Sequence, residues 1–379
     1  MPEYRLIEDN RQVVQLCREL AGEPELAVDL EADSLHHYRE KVCLVQISTR
    51  RATWLIDPLA ADDISPLAAL LGDQQRLTVL HGGDYDVRSL HRDFGIEVAS
   101  MFDTMIAAQF CGVQEFGLAA LLREHFDLEL DKRFQKADWS IRPLTREMAD
   151  YAAHDTAHLL QLADLLRERL QGLGRAGWVA EECALVAANR MAERGDTPLY
   201  LSCKGAGKLR PRNLALLEEL LKMRDRVAQE LDRPPFKVIP TDALLQLAER
   251  GTSDVRYMND IAGLSAKLLN RYGALLQSAL QRGLAVPEQR LPRYPRSKGE
   301  PNHGIKKRMA SLKTVREALS NRLGLTPGLI APNWLLERIA EQQPETVEQL
   351  RAIQGIRNWQ IEVWGVEMLT MLTQERQTT

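Results

Sequence analysis

The sequence predicts an α/β domain followed by two copies of an all-α domain. Three observations carry this expectation. Up to about residue 170, short apolar runs alternate with helical periods. Beyond Arg212 no strand pattern appears, and leucine-rich helical periods take over. That helical half then repeats itself at a fixed offset. The chain is long enough for this plan: 379 residues, 45% hydrophobic and 27% charged, allow two or three domains with their own cores.

Arg11 to Leu20 has helical spacing. Leu26–Glu31, Val42–Ser48 and Thr53–Ile56 are apolar runs bounded by turn or charged residues, and their close spacing predicts an antiparallel meander. Leu77–Leu80 is a fourth strand, ended by His81-Gly82-Gly83 and followed by a helix to about Phe94. Thr104–Phe110, Leu118–Phe126 and Thr145–Leu170 predict helices, and Gly177 to Leu201 a further helix that leaves the domain. In the second half, Arg224, Pro240, Leu244, Ala248, Val255, Gly263 and Gly273 match Arg316, Pro332, Leu336, Ala340, Val347, Gly355 and Gly365, every pair 92 positions apart. Trp334, Trp359 and Trp364 of the second copy sit at helical spacing and are expected in its core. Between the copies, LPRYPRSKGEPNHGIKKR has the composition of a basic linker.

Lys+Arg is 49 and Asp+Glu 53, a formal net charge of -4, so contact with a polyanion must be local. Lys306, Lys307, Arg308, Lys313 and Arg316 form one such basic cluster. The five cysteines are scattered, with no CxxC pair, which points away from a zinc knuckle or disulfide framework and toward a reducing, cytoplasmic setting. MPEYRLIEDN has no basic-then-apolar signal, and no apolar run approaches the ~20 residues of a membrane helix.

Acidic residues recur at element ends. Asp29 and Glu31 share one face of a strand, because strand side chains alternate with period two. Asp84 and Asp86 open a helix after Gly82-Gly83, and they lie about 200° apart around it. In YAAHD, Tyr151 and Asp155 share a helix face. Clustered carboxylates need a compensating cation, and hard oxygen donors suit Mg²⁺ or Mn²⁺. Two such ions about 3.5–4 Å apart serve phosphodiester cleavage. Taken singly, DxE and YxxxD arise often by chance, and HGG before acids is also a plain helix start. The ordered combination is the signal.

LAVDLEADSLHHYREKVCLVQIS, VLHGGDYDVRSL, MFDTMIAA and YAAHDTAHLL resemble the exonuclease motifs of the DEDD superfamily, tyrosine subtype. With the helical repeat behind them, nearly the whole chain resembles the bacterial ribonuclease D family, whose helical modules are called HRDC domains. The resemblance implies a ribonuclease H-like α/β exonuclease domain, a mixed sheet with flanking helices, over 1–175. A connecting segment over 176–211, one HRDC domain over 212–290, a linker over 291–305 and a second HRDC domain over 306–379 would follow. It implies two divalent metal ions, Mg²⁺ or Mn²⁺, held by Asp29, Glu31, Asp86 and Asp155, with Tyr151 positioning the attacking water. Asp86 matches the family acid five residues after His81, which leaves Asp84 as a helix cap. His five before Asp155 would mark the other subtype, and Asp150 stands there instead. Asp103 of MFDT is expected to be structural, His36, His37 and His154 to lie outside the chemistry, and Gln46 to be only a polar position on the meander.

The implied activity is 3′-to-5′ hydrolysis of RNA to nucleoside 5′-monophosphates, with tRNA precursors carrying 3′ extensions as substrate and no obligate protein partner. A DNA 3′-5′ exonuclease and a catalytically silent nucleic-acid-binding scaffold are the alternatives. DKRFQKADWSIRPL mixes bases with aromatics, a composition suited to single-stranded RNA, so Lys132, Arg133, Lys136, Trp139 and Arg142 are candidate RNA contacts.

Overall fold

The computed structural model describes residues 3–191, 195, 197–252, 254, 260–295 and 303–377. Six strands form one mixed sheet: β1 (Tyr4–Ile7), β2 (Glu25–Ala32), β3 (Val42–Ser48), β4 (Thr53–Ile56), β5 (Leu77–Leu80) and β6 (Met101–Asp103). Their order is β1-β4-β3-β2-β5-β6. β2, β3 and β4 form the expected antiparallel meander. β1 joins β4 in parallel, β5 joins β2 and β6 joins β5 in parallel. The two edge strands, β1 and β6, have four and three residues; β1 is interrupted by Arg5 and β6 leads directly into a helix, so neither shows as a bounded apolar run. β3 is buried at all seven positions, which is why it reads as one apolar run.

Helices flank the sheet: α1 (Asn10–Glu19), α2 (Ala68–Leu71), α3 (Asp84–Phe94), α4 (Thr104–Phe110), α5 (Leu118–Phe126), α6 (Arg146–Ala157), α7 (Leu159–Gly172) and α8 (Ala176–Ala187). The single helix expected over Thr145–Leu170 is two, broken at His158, whose backbone leaves helical geometry at φ -111, ψ 4. No Pro or Gly marks that break. The helix expected to reach Leu201 stops at Ala187.

The chain divides into two compact units. One holds the sheet domain together with the second helical repeat. The other holds the first helical repeat and the loop Asp33–Lys41. The first repeat comprises α9 (Pro211–Glu230), α10 (Pro235–Val238), α11 (Thr241–Arg250) and α12 (Ala266–Ala285). The second comprises α13 (His303–Leu323), α14 (Pro327–Ile330), α15 (Asn333–Gln342), α16 (Val347–Arg351) and α17 (Asn358–Gln377). The matched residues perform matched tasks. Arg224 donates to the carbonyl of Ile239 and the hydroxyl of Thr241. Arg316 donates to the carbonyl of Ala331 and to Asn333 Oδ1, each partner 92 positions on. Gly263 and Gly355 both sit in the left-handed region, at φ +90 and +94. Val255 and the middle of the linker, residues 296–302, lie outside the described residues.

Arg316 is therefore a buried structural residue and not part of a basic RNA surface. Of the rest of that cluster, Lys307 pairs with Glu375 and Arg308 donates to the carbonyl of Ala340, while Lys306 and Lys313 are exposed. Trp359 and Trp364 are core residues as expected. Trp334 is not: it is 46% exposed, because its ring lies across Gly355, where a Cβ would come within 2.5 Å of it, and under the Arg338 guanidinium.

The second repeat docks on the sheet domain through α8. Trp359 stacks on Trp178 at 5.2 Å and meets Phe110 edge-on at 5.3 Å. Its indole N–H donates to Glu182, and Glu181 accepts the Asn358 and Trp359 backbone N–H groups that open α17. Arg175 donates to the carbonyls of Phe110 and Leu323, joining the two parts.

Candidate active site

The site face of the sheet is the one covered by α6. On β2, Val28 and Leu30 point into the main core, and Asp29 and Glu31 point the other way. On β3, Leu44, Gln46 and Ser48 share the face of the two acids: Gln46 stands opposite Asp29 and Leu44 opposite Glu31. α6 lies over this face with its small residues inward, Ala149, Ala152, Ala153 and Thr156 all buried. It is pinned by Ser48, whose hydroxyl is 2.7 Å from both Thr156 and Thr53. That anchor adjoins Asp155 in sequence and fixes the height at which Asp155 meets the sheet.

Carboxylate oxygens of Asp29, Glu31 and Asp155 all lie within 4.8 Å of one another. Asp86 enters the same field from the start of α3: its charge acts on Glu31, and that of Asp29 acts on Asp86. Burial first, and then mutual repulsion, makes these acids reluctant to ionise. Burial pushes Asp29 up to about 7. Glu31 is pushed up to about 10, by burial and then by Asp29, Asp155 and Asp86. Asp86 and Asp155 are likewise held well above the ordinary carboxylate range. Every charged neighbour acting on Glu31 is an acid. The donor set is all oxygen and lacks a compensating cation of its own, so the residues present fit a hard divalent metal.

The turn that delivers Asp86 is built by Asp103. Its carboxylate accepts the backbone N–H groups of Gly82 (2.9 Å) and Gly83 (2.8 Å), and at the same time caps α4 through Met105 and Ile106. Asp103 is thus structural, as expected. Gly82 sits at φ +70, and a Cβ on Gly83 would meet Leu80 at 2.8 Å, so both glycines are required. The Thr104 hydroxyl donates to the Leu80 carbonyl, so His81 Nδ1, 2.9 Å away, must be its donor. Burial lowers His81 to about 4, so the ring is neutral.

Asp84 is not the helix cap. α3 begins at Asp84 itself, with Gly83 at the cap position, and the Asp84 carboxylate pairs with Arg88 at 2.6 Å and accepts from Asn189 at 2.7 Å. The i,i+4 pair and the side-chain amide occupy the carboxylate in place of capping.

Tyr151 hydrogen-bonds Asp155, and burial together with Asp155 and Glu31 raises its hydroxyl, so it stays a neutral phenol. Phe134 and Trp139 hold its ring at 5.8 and 5.9 Å. This corrects Trp139: it is 1% exposed and supports Tyr151, so its ring is not offered to a base. Arg142 is corrected too. It makes a bidentate pair with the buried Asp57 and donates to the carbonyls of Trp139, Ile141 and Cys43, a latch that fixes the loop. Lys132, Arg133 and Lys136 are exposed. Arg133 pairs with Asp131 and lines, with Tyr151, His154 and Asp155, a cavity of about 240 Å³. His154 Nδ1 contacts the Asp150 carbonyl; His37 and Asp232, both of the other compact unit, pair with each other. Nothing in the residues around Gln46 marks it as facing the acids; the cross-strand register reveals it.

The family model described as 3′-5′ exonuclease matches residues 4–171, and that of the HRDC domain matches residues 213–280 and 306–372. The ribonuclease D of Pseudomonas paraeruginosa is 30% identical over 374 residues, covering 98% of both chains. This chain belongs to the ribonuclease D family. The crystal structure of Escherichia coli RNase D, described as an exoribonuclease involved in structured RNA processing, superposes with a TM-score of 0.76 at 25% identity, covering 98% of this chain and 99% of that one. The catalytic core of RRP6 from Trypanosoma brucei gives 0.64 at 27% identity over 75% of this chain and 80% of that one. As a ribonuclease D family member, the protein is a 3′-5′ exoribonuclease that depends on divalent metal. Its α/β exonuclease domain is followed by helical HRDC modules. No helix among the described residues is long and apolar enough to cross a membrane.

Proposed function

We propose that the protein trims 3′ extensions from tRNA precursors, releasing nucleoside 5′-monophosphates, at a centre formed by Asp29, Glu31, Asp86, Tyr151 and Asp155. The observation that carries this reading is the convergence of the Asp29, Glu31 and Asp155 oxygens within 4.8 Å, with Asp86 in the same field. The four acids would hold two divalent ions, Mg²⁺ or Mn²⁺. Bound there, such ions activate water and offset the charge developing on the leaving oxygen. Asp29, at the centre of the cluster, is the residue on which both ions would depend. Tyr151, held as a neutral phenol, orients the attacking water by hydrogen bonding and is not a base. Arg133 lines the cavity beside Tyr151, and with Lys132 and Lys136 it offers positive charge to the phosphates of an entering strand. Five free cysteines accord with work in the reducing cytoplasm.

The test is a time course on end-labelled, 3′-extended tRNA with Mg²⁺, with EDTA, and with the Asp29→Asn variant. Stepwise shortening from the 3′ end is expected with Mg²⁺ alone. Near-normal shortening by Asp29→Asn would overturn the site assignment. A matched DNA 3′ end in parallel tests selectivity for the 2′-hydroxyl.

A further inference from the structure

Gln46 lies in the middle of β3 with no exposed surface. Neither Oε1 nor Nε2 has a hydrogen-bond partner among the described residues. A buried carboxamide left wholly unpaired is costly, and a protein retains one only where something else repays it. Its place narrows the reason. Gln46 stands directly opposite Asp29 in the antiparallel β2–β3 pair. Residues so placed have Cβ atoms about 4.5–5.5 Å apart on the same face. The neighbours two residues to either side confirm the face: Leu44 packs with Trp139 and Tyr151, and Ser48 bonds Thr156 of α6. The amide is therefore enclosed between the sheet and α6, beside the central acid.

We infer that Gln46 is a positioning residue of the metal centre: its Nε2 donates to the Asp29 carboxylate when the ion-loaded site needs that acid ionised and oriented. The inference rests on the metal-site reading of Asp29. It follows from the placement. A carboxylate that holds a metal keeps lone pairs to spare, and Gln46 is the residue directly across the ladder from Asp29, its buried amide without another partner among the described residues. Partners of metal ligands commonly carry 10–100-fold in affinity or activity.

The experiment uses the full-length protein and the variant Gln46→Met, which keeps length and volume but has no N–H donor. Gln46→Leu serves as a second apolar replacement should Met fail to fold. Three readouts are taken: Mn²⁺ affinity by calorimetry, melting temperature in EDTA, and kcat and KM on 3′-extended tRNA. The expected result is Mn²⁺ affinity weakened 10-fold or more, kcat lowered to a similar degree at unchanged KM, and melting in EDTA unchanged or raised, since an unpaired buried amide has been removed. Mn²⁺ affinity within two-fold of the parent overturns the inference. So does a lowered melting temperature in EDTA for both variants, which would make Gln46 a packing residue. Asp29→Asn separates the two levels: if it binds Mn²⁺ like the parent, the metal-site reading fails; if it loses Mn²⁺ while Gln46→Met does not, only the Gln46 role fails.

Discussion

Adding Mn²⁺ to the metal-free protein should expel protons. At pH 7, Asp29, pushed up to about 7, is partly protonated. Glu31, pushed up to about 10, is protonated. A metal takes carboxylates only in their ionised form, so these two acids alone release at least one proton at pH 7. Asp86 and Asp155, also raised, can only add to that. Each proton released makes the logarithm of the affinity rise by one per pH unit, so affinity should climb more than tenfold from pH 6.5 to 7.5. The linkage to folding has a definite sign. These folded-state values lie above the unfolded ones, so the stability they supply is full below about pH 4. It is lost as pH rises through about 7 for Asp29 and about 10 for Glu31. The EDTA-treated protein should therefore draw a larger rise in melting temperature from Mn²⁺ at pH 8.5 than at pH 6. Calorimetric titrations in buffers of different ionisation enthalpy count the protons directly. Release of none at pH 7, or an affinity flat between pH 6 and 8, refutes the picture of a cluster kept partly protonated by its own repulsion.

Three further outcomes follow from particular contacts. Tyr151→Phe keeps the ring between Phe134 and Trp139 and removes only the hydroxyl, so kcat should fall at least tenfold with Mn²⁺ affinity within two-fold, as read by parallel kinetics and calorimetry. Arg142→Ala strands the buried Asp57 carboxylate and should cost about 3–5 kcal/mol in denaturant unfolding. If Arg142 were instead an RNA contact, the variant would raise KM while leaving stability intact. Trp359→Ala deletes a ring packed on Trp178 and Phe110 and should cost about 3–5 kcal/mol, with earlier proteolytic cleavage around α17.

The parts of the fold legible in the sequence are those whose pattern is local. The meander is announced by three apolar runs with turn residues between them, and the helical repeat by residues such as Arg224 and Arg316 that recur with their partners. β4 and β5 are no longer than β1, but they are bounded apolar runs; β1 escaped because Arg5 interrupts it and it is only half buried, and β6 because its three residues run straight into α4. The break at His158 escaped because it uses neither Pro nor Gly. Asp84 shows a different limit. Its position at a helix start suits a cap, but Arg88 one turn on and Asn189 far along the chain compete for the same carboxylate, and the distant partner has no local signature.

The site divides along the same line. Asp29, Glu31, Tyr151 and Asp155 were legible because each pair lies on one element, where periodicity fixes which side chains share a face. Trp139 and Arg142 were misjudged because they lie in an irregular loop, where composition states what residues are present and no period states where they point. The same mixture of bases and rings serves an RNA surface or an internal brace. Here Trp139 turns inward beneath Tyr151 and Arg142 inward to Asp57, while Arg133 of the same segment stays at the cavity. Gln46 is the reverse case: it lies on a regular strand, and its face was determined, but the cross-strand register that sets it opposite Asp29 depends on a connection nine residues long. A polar residue on a buried strand is informative only once its neighbour across the ladder is known, and here that neighbour is Asp29 of the acidic cluster.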